Sequence, residues 1–148
     1  MAREDTSDPN TPPDAGFDPG PRDSAERTLD ATGNLRLAIS NALVGVKKQL
    51  YGKGPVKAKT YINDNYVFAV LEGGLTRNEE TLLMAGEARL VREYRLRFQE
   101  AVAETIRTAV EDVTGRKVLA YHSQIVFEPD RMFEIFVLDG PPRPGSSN

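Results

Sequence analysis

Apolar residues at Leu35, Ile39, Ala42, Leu43, Val46 and Leu50 recur every three or four positions, the spacing that lines one face of a helix. Gly52 and Gly54-Pro55 stop that helix. Residues 56–62 and 66–72 then switch to strand chemistry, rich in Val, Tyr, Phe and Thr. Between them Asn63-Asp64-Asn65 reads as a hairpin turn, because Asn and Asp tolerate left-handed backbone geometry. After Gly73-Gly74, Thr76-Arg77-Asn78-Glu79 has the form of a capping box opening a short helix over about 77–85, which Gly86 ends. A long helix is expected over about 87–113. Its stripe is Leu90, Tyr94, Phe98, Ala101, Thr105, Ala109 and Val113, with Val91, Val102, Ile106 and Val110 beside it. Gly115 closes it, and two strands follow at about 117–127 and 131–138 around Glu128-Pro129-Asp130.

The pattern predicts an α+β domain of order αββααββ: a four-stranded antiparallel sheet from two hairpins, two main helices and one short helix. Val46–Gly73 and Val110–Gly140 share the succession helix end, glycine, basic residue, two strands. That succession fits an internal duplication and ordinary α+β punctuation equally. If both hairpins join one sheet, the main helices cover one face. On the last strand Phe133, Ile135 and Val137 alternate with Met132, Glu134, Phe136 and Leu138, so both faces are apolar. Either the short helix covers the second face or that face meets a partner, and the expectation is a homodimer or another protein contact.

Composition sets the ends apart. Residues 1–30 hold five prolines, eight acids and three arginines with almost no large apolar side chain. Such a segment buries too little surface to offset its ordering entropy, so 1–33 is expected to be a disordered acidic tail. The Pro-rich end at 141–148 reads the same way, leaving one domain over 34–140. Residues 31–63 carry Arg36, Lys47, Lys48, Lys53, Lys57 and Lys59 and no acid. No apolar run approaches the ~20 residues of a membrane span, and no secretory leader is expected from the polar N-terminus. The chain has no cysteine, which removes disulfide and thiol chemistry and fits a cytoplasmic setting.

Elimination limits the chemistry further. The one histidine, His122, adjoins Ser123 on a strand, so their side chains diverge, and Ser40 is expected on a polar helix face far from either. No Cys/His cluster or acidic loop has metal-ligand spacing. Gly52-Lys53-Gly54-Pro55 follows a helix and lacks the phosphate-loop spacing. Gly73-Gly74 precedes a helix N-terminus suited to anions, but Thr76 and Glu79 occupy that end. Glu79-Glu80 read as capping residues, and Glu111-Asp112 as acids neutralised by Arg116 and Lys117. No catalytic, cofactor or metal residue is therefore assigned, and an enzyme is not expected. The candidate ligand or partner surface comprises Tyr51, Gly52, Lys53, Gly54, Pro55, Lys57, Lys59, Gly73, Gly74, Arg92, Arg95, Arg116 and Lys117. The basic 36–59 stretch, interleaved with tyrosines, suits nucleic acid or an anionic ligand. Lysines guarding an edge strand explain it as well. Arg92 and Arg95 share one side of the long helix, where an acidic partner can dock.

Four blocks carry a family likeness: Tyr51-Gly52-Lys53-Gly54-Pro55; Leu71-Glu72-Gly73-Gly74-Leu75-Thr76; Gly86 followed by Val91-Arg92-Glu93-Tyr94-Arg95; and Glu111-Asp112-Val113-Thr114-Gly115-Arg116-Lys117-Val118. Ser123, Pro129-Asp130 and Phe136-Val137-Leu138 continue it. Together they resemble the MpsC family of small bacterial proteins, over about 35–139. That family takes its name from a sodium-translocating, membrane-potential-generating system. The resemblance implies a non-catalytic accessory component, cytoplasmic or peripheral to the inner membrane face, whose partner is a multi-span transport subunit. It supplies no catalytic residue to carry over.

Overall fold

The computed structural model describes residues 21–143, with side-chain surroundings from residue 31 onward. The elements run α1 (Pro21–Tyr51), β1 (Lys57–Asn63), β2 (Tyr66–Glu72), α2 (Arg77–Met84), α3 (Ala88–Thr114), β3 (Val118–Phe127) and β4 (Asp130–Leu138). This is the expected αββααββ order, and all four strands form one antiparallel sheet in the order β1-β2-β4-β3. Each αββ half thus supplies one edge strand and one central strand, and the halves meet where β2 pairs with β4. The first hairpin turns at Asp64, whose φ of 55° is the left-handed geometry its residue type permits.

Asn65 ties the halves together. Its carbonyl accepts from the Leu138 amide at 2.8 Å, and its side-chain amide donates to the Leu138 carbonyl at 3.0 Å.

At the N-terminal side α1 begins at Pro21, inside the segment 1–33 that composition marked as a disordered tail. Proline at the first helical position leaves no bond unmade, and Ala25, Glu26, Arg27 and Leu29 are good helix formers. The low apolar content that suggested disorder says nothing against such a run. Residues 1–20 and 144–148 lie outside the described residues. At the other end, the Arg143 amide donates to the Thr114 carbonyl at 2.8 Å, so the first residues of the Pro-rich tail are fastened to the end of α3.

The core lies between the two long helices and one sheet face. Leu35, Ile39 and Leu43 of α1, Ile106 and Val110 of α3, Val67, Ala69 and Leu71 of β2, and Met132, Phe136 and Leu138 of β4 make one buried cluster. α2 packs on α3 and leaves the far side of the sheet uncovered. Of the broad stripe expected on α3, Val91, Ile106 and Val110 are buried, joined by Arg95 and Gln99, whereas Leu90 and Tyr94 are about half exposed. Arg95 and Gln99 are polar, so their positions did not register as the core-facing side.

Candidate functional site

The buried side of the sheet carries charge. Lys47 continues the spacing of Leu35, Ile39 and Leu43 and is 2 % exposed; Glu134 sits between Met132 and Phe136 and is fully buried. Lys47 Nζ lies 2.7 Å from Glu134 Oε1 and donates to Gln99 Oε1 at 2.7 Å. Gln99 Nε2 donates to Glu134 at 2.7 Å and to Ser123 Oγ at 2.8 Å. The Tyr121 hydroxyl donates to the second Glu134 oxygen. One residue from each of α1, α3 and β4, with two from β3, thus closes a network beneath the sheet. Burial pushes the Lys47 ammonium down from its ordinary value, against the pull of Glu134, and pushes the Tyr121 hydroxyl up. Removing either charge would leave the other buried without an opposite partner, which costs about 3–5 kcal/mol.

A second buried pair joins the sequence blocks. Thr76 and Glu79 form the expected capping box: Thr76 Oγ1 accepts from the Glu79 amide at 3.3 Å, and Glu79 Oε1 from the Thr76 amide at 3.0 Å. Glu79 also receives Arg95 in a two-pronged bond, Nε at 2.5 Å and Nη2 at 2.7 Å. Arg95 Nη2 reaches the Gly74 carbonyl at 2.8 Å, and Lys53 Nζ the Leu75 carbonyl at 3.1 Å. Burial acts to raise the Glu79 carboxyl, but the bonds from Arg95 and Thr76 outweigh it and hold the group below its ordinary range. The Arg95 guanidinium lies 4.9 Å over the Tyr51 ring, which rests on Phe98 at 4.5 Å. Gly73 and Gly74 have φ of 75° and 93°, and a Cβ on Gly73 would collide with Val56.

Of the candidate surface, Gly52 is exposed with nothing packed against it, whereas Tyr51, Lys53, Gly54, Pro55, Gly73, Gly74 and Arg95 converge into a packed joint. The free space among them is about 10 Å³, room for about one water and no larger ligand. Arg95 is 5 % exposed, so it is not an acidic partner's contact beside Arg92. Arg92 lies elsewhere, 5.2 Å over the Phe127 ring. Arg116 donates from Nε to the Pro141 carbonyl at 2.6 Å, and the Lys117 amide to Asp139 at 3.1 Å. Glu111 accepts from the Val118 amide at 3.1 Å, so a backbone donor satisfies an acid expected to be neutralised by Arg116 and Lys117. Ser40 is buried and bonded to Thr60 at 2.7 Å, not on a polar helix face.

The far face of the sheet is the reverse of the buried one. Tyr61 of β1, Tyr66, Phe68 and Val70 of β2, and Phe133, Ile135 and Val137 of β4 form a contiguous apolar surface under no helix. Phe68 and Phe133 stack at 5.7 Å with ring planes 10° apart, and Tyr61 follows at 6.1 Å from Phe68. Tyr61 is 45 % exposed and Tyr66 55 %. Lys57 and Lys59 flank this surface on β1, with Lys59 5.2 Å over the Tyr61 ring. His122 faces out on the same side, while Ser123 faces the core. Among the described residues, no group of three or more His, Asp or Glu is placed to hold a metal ion.

Missing from the sequence reading were Lys47, Gln99 and Glu134 as a unit. Each stands at an apolar register position on its own element, and that coincidence was the available signal.

Residues 31–140 match the model of a protein family described as Na+-translocating membrane potential-generating system (MpsC). Two proteins of Bacillus subtilis strain 168 are similar to this chain. The uncharacterized protein YrhF is 27 % identical over 96 residues, covering 64 % of this chain and 79 % of the relative. The uncharacterized protein YbcI is 25 % identical over 107 residues, covering 72 % and 86 %. No solved structure matches significantly.

Proposed function

The chain belongs to the MpsC family, and from that premise we propose that it is a non-catalytic accessory or regulatory domain that works as a homodimer and contacts a multi-span subunit of a membrane cation-transport system. The observation that carries this reading is the open sheet face. Stacked aromatic and aliphatic side chains of that extent on a small domain are the mark of a recognition surface. The family description links members to sodium translocation and membrane potential. No helix among the described residues is long and apolar enough to cross a membrane, so the link to a transport system runs through contact. On this reading the domain sits in the cytoplasm or against the inner membrane face. The buried ionisable groups support the absence of catalysis, since Lys47, Glu134, Glu79 and Arg95 are bonded to one another.

Nucleic-acid binding by the 36–59 stretch has one favouring observation: Lys57, Lys59 and exposed Tyr61 share the open face, where a base can stack beside a cation. Arg36 lines an open groove with Lys59 and Tyr61. Lys47, however, is buried in its ion pair, and Lys53 is bonded to Leu75. Only part of the basic stretch is therefore gathered at this surface, which favours the protein reading.

A photo-crosslinking residue at Ile135, expressed in cells carrying the transport subunits, tests the proposal. Adducts to an integral membrane subunit, lost when Phe68 and Phe133 are both changed to Ser, are expected. Crosslinking to RNA alone, or none at all with folded protein, would falsify it.

A further inference from the structure

The two edges of the sheet hold matching places in the strand order and are built differently. β1 is seven residues long and carries Lys57 and Lys59, a composition that discourages pairing with a further strand. β3 is ten residues long, the longest strand, and Val118–Phe127 contains no acid, lysine, arginine or proline. Among the described residues no strand pairs with its outer side, so every second residue there presents its backbone N–H and C=O outward. Beside this edge lies an open groove of about 490 Å³ whose helical wall includes Leu96, Glu100, Ala103 and Arg107 of α3. Their spacing of four, three and four puts them on one side of the helix. Gln99 and Ser123, also at the groove, are bonded to each other. Arg107 is different: its Nε is buried without a hydrogen-bond partner, and the Glu104 carboxylate is 4.0 Å away. The Arg107 side chain is nonetheless about a third exposed, so its guanidinium can receive a further carboxylate at the groove.

We propose that β3 pairs antiparallel with β3 of a second copy of this chain, joining two sheets into one of eight strands with the two α3 helices side by side across the seam. Two-fold symmetry requires a patch that complements itself. The helical wall does so: reversed, it sets Glu100 of one copy against Arg107 of the other, twice, with the small Ala103 between them allowing close approach. A two-fold axis perpendicular to the sheet keeps all four long helices on one side. The open apolar face is then doubled in width and remains available to another protein. The inference deepens the homodimer part of the proposed function and is independent of the transport partner.

The full chain has no cysteine, so single introduced thiols report position cleanly. Sedimentation velocity of the wild type should give a dimer. Ala103→Cys should be joined by a short bis-maleimide, and Ile135→Cys on the open face should not. Arg107→Glu should weaken the dimer by about tenfold or more through two like-charge contacts, and Glu100→Arg/Arg107→Glu should restore it to within about threefold. Circular dichroism checks that each variant is folded. A monomeric wild type would overturn this inference together with the homodimer reading. A dimer that crosslinks at position 135 and not at 103, or that is indifferent to Arg107→Glu, would overturn the β3 seam alone and move the homodimer to the open face.

Discussion

The two faces of one four-stranded sheet are both largely apolar, yet they are finished in different ways. The covered face packs the hydrophobic core and, within it, the polar network of Lys47, Glu134, Gln99 and Tyr121 between sheet and helices; the uncovered face leaves Tyr61, Tyr66 and Ile135 exposed beside the half-buried Phe68, Phe133 and Val137. Buried charge survives only when its hydrogen bonds are met internally, as they are here. Exposed rings have no such internal solution. The difference teaches where to look for function: the polar groups of the covered face satisfy one another and serve the architecture, while the open face is the surface on which the proposed partner contact rests.

The sharpest way to break this comparison is to strip a charge from the covered face. Lys47→Met should destabilise the domain by about 3–5 kcal/mol, because Glu134 is left buried without its cation. Adding Glu134→Leu should recover most of that loss, and urea unfolding of the two variants measures both. If the single variant is near neutral, the ionic network is not structural.

Next in size is Glu79→Gln, expected to cost about 1.5–3 kcal/mol, the worth of a hydrogen bond to a charged group. Its pH signature is distinctive. Glu79 is depressed below its ordinary value near 4.5. The unfolded chain therefore binds more protons than the native one between the two pKa values, and stability rises with pH there. The contribution is fully present above about 4.5 and lost as pH falls through the depressed native pKa. Thermal melts from pH 6 to 3 should fall more steeply for the wild type than for the variant.

Changes on the open face should reverse the balance between stability and binding. Ile135→Ser should shift stability by only about 1 kcal/mol or less and yet remove partner capture, read by urea unfolding beside a crosslinking assay. A loss as large as that of Lys47→Met would mean the face is core. The smallest effect is expected of Lys59→Gln, within about 0.5 kcal/mol in stability. It should leave partner capture intact, whereas a nucleic-acid interface would show a reduced salt dependence of binding.

Much of the fold was legible because each element announces its own limits. Gly115 at a left-handed φ of 64°, the Thr76/Glu79 box and the Asp64 turn are local chemistry, readable within a few residues. The αββααββ order follows from them. The buried face of α3 was read without Arg95 and Gln99 because they are polar, and their suitability for burial depends on Glu79 and Glu134, 16 and 35 residues away. The blocks around Tyr51, Gly73 and Arg95 were read as a candidate ligand or partner surface, but sequence spacing carries no information on free volume. Only the packed geometry separates a joint from a cleft. The open face was foreseen from the double alternation of β4, and α2 does not cover it.

The clasp between Asn65 and Leu138 acts as a vernier for the whole sheet. Sliding β4 past β2 by a single residue would rotate every one of its side chains through the plane, carrying Glu134 into solvent and Ile135 against the ammonium of Lys47. Two hydrogen bonds at the tip of a short turn thus help decide which side of the protein is ionic and which is available to another molecule.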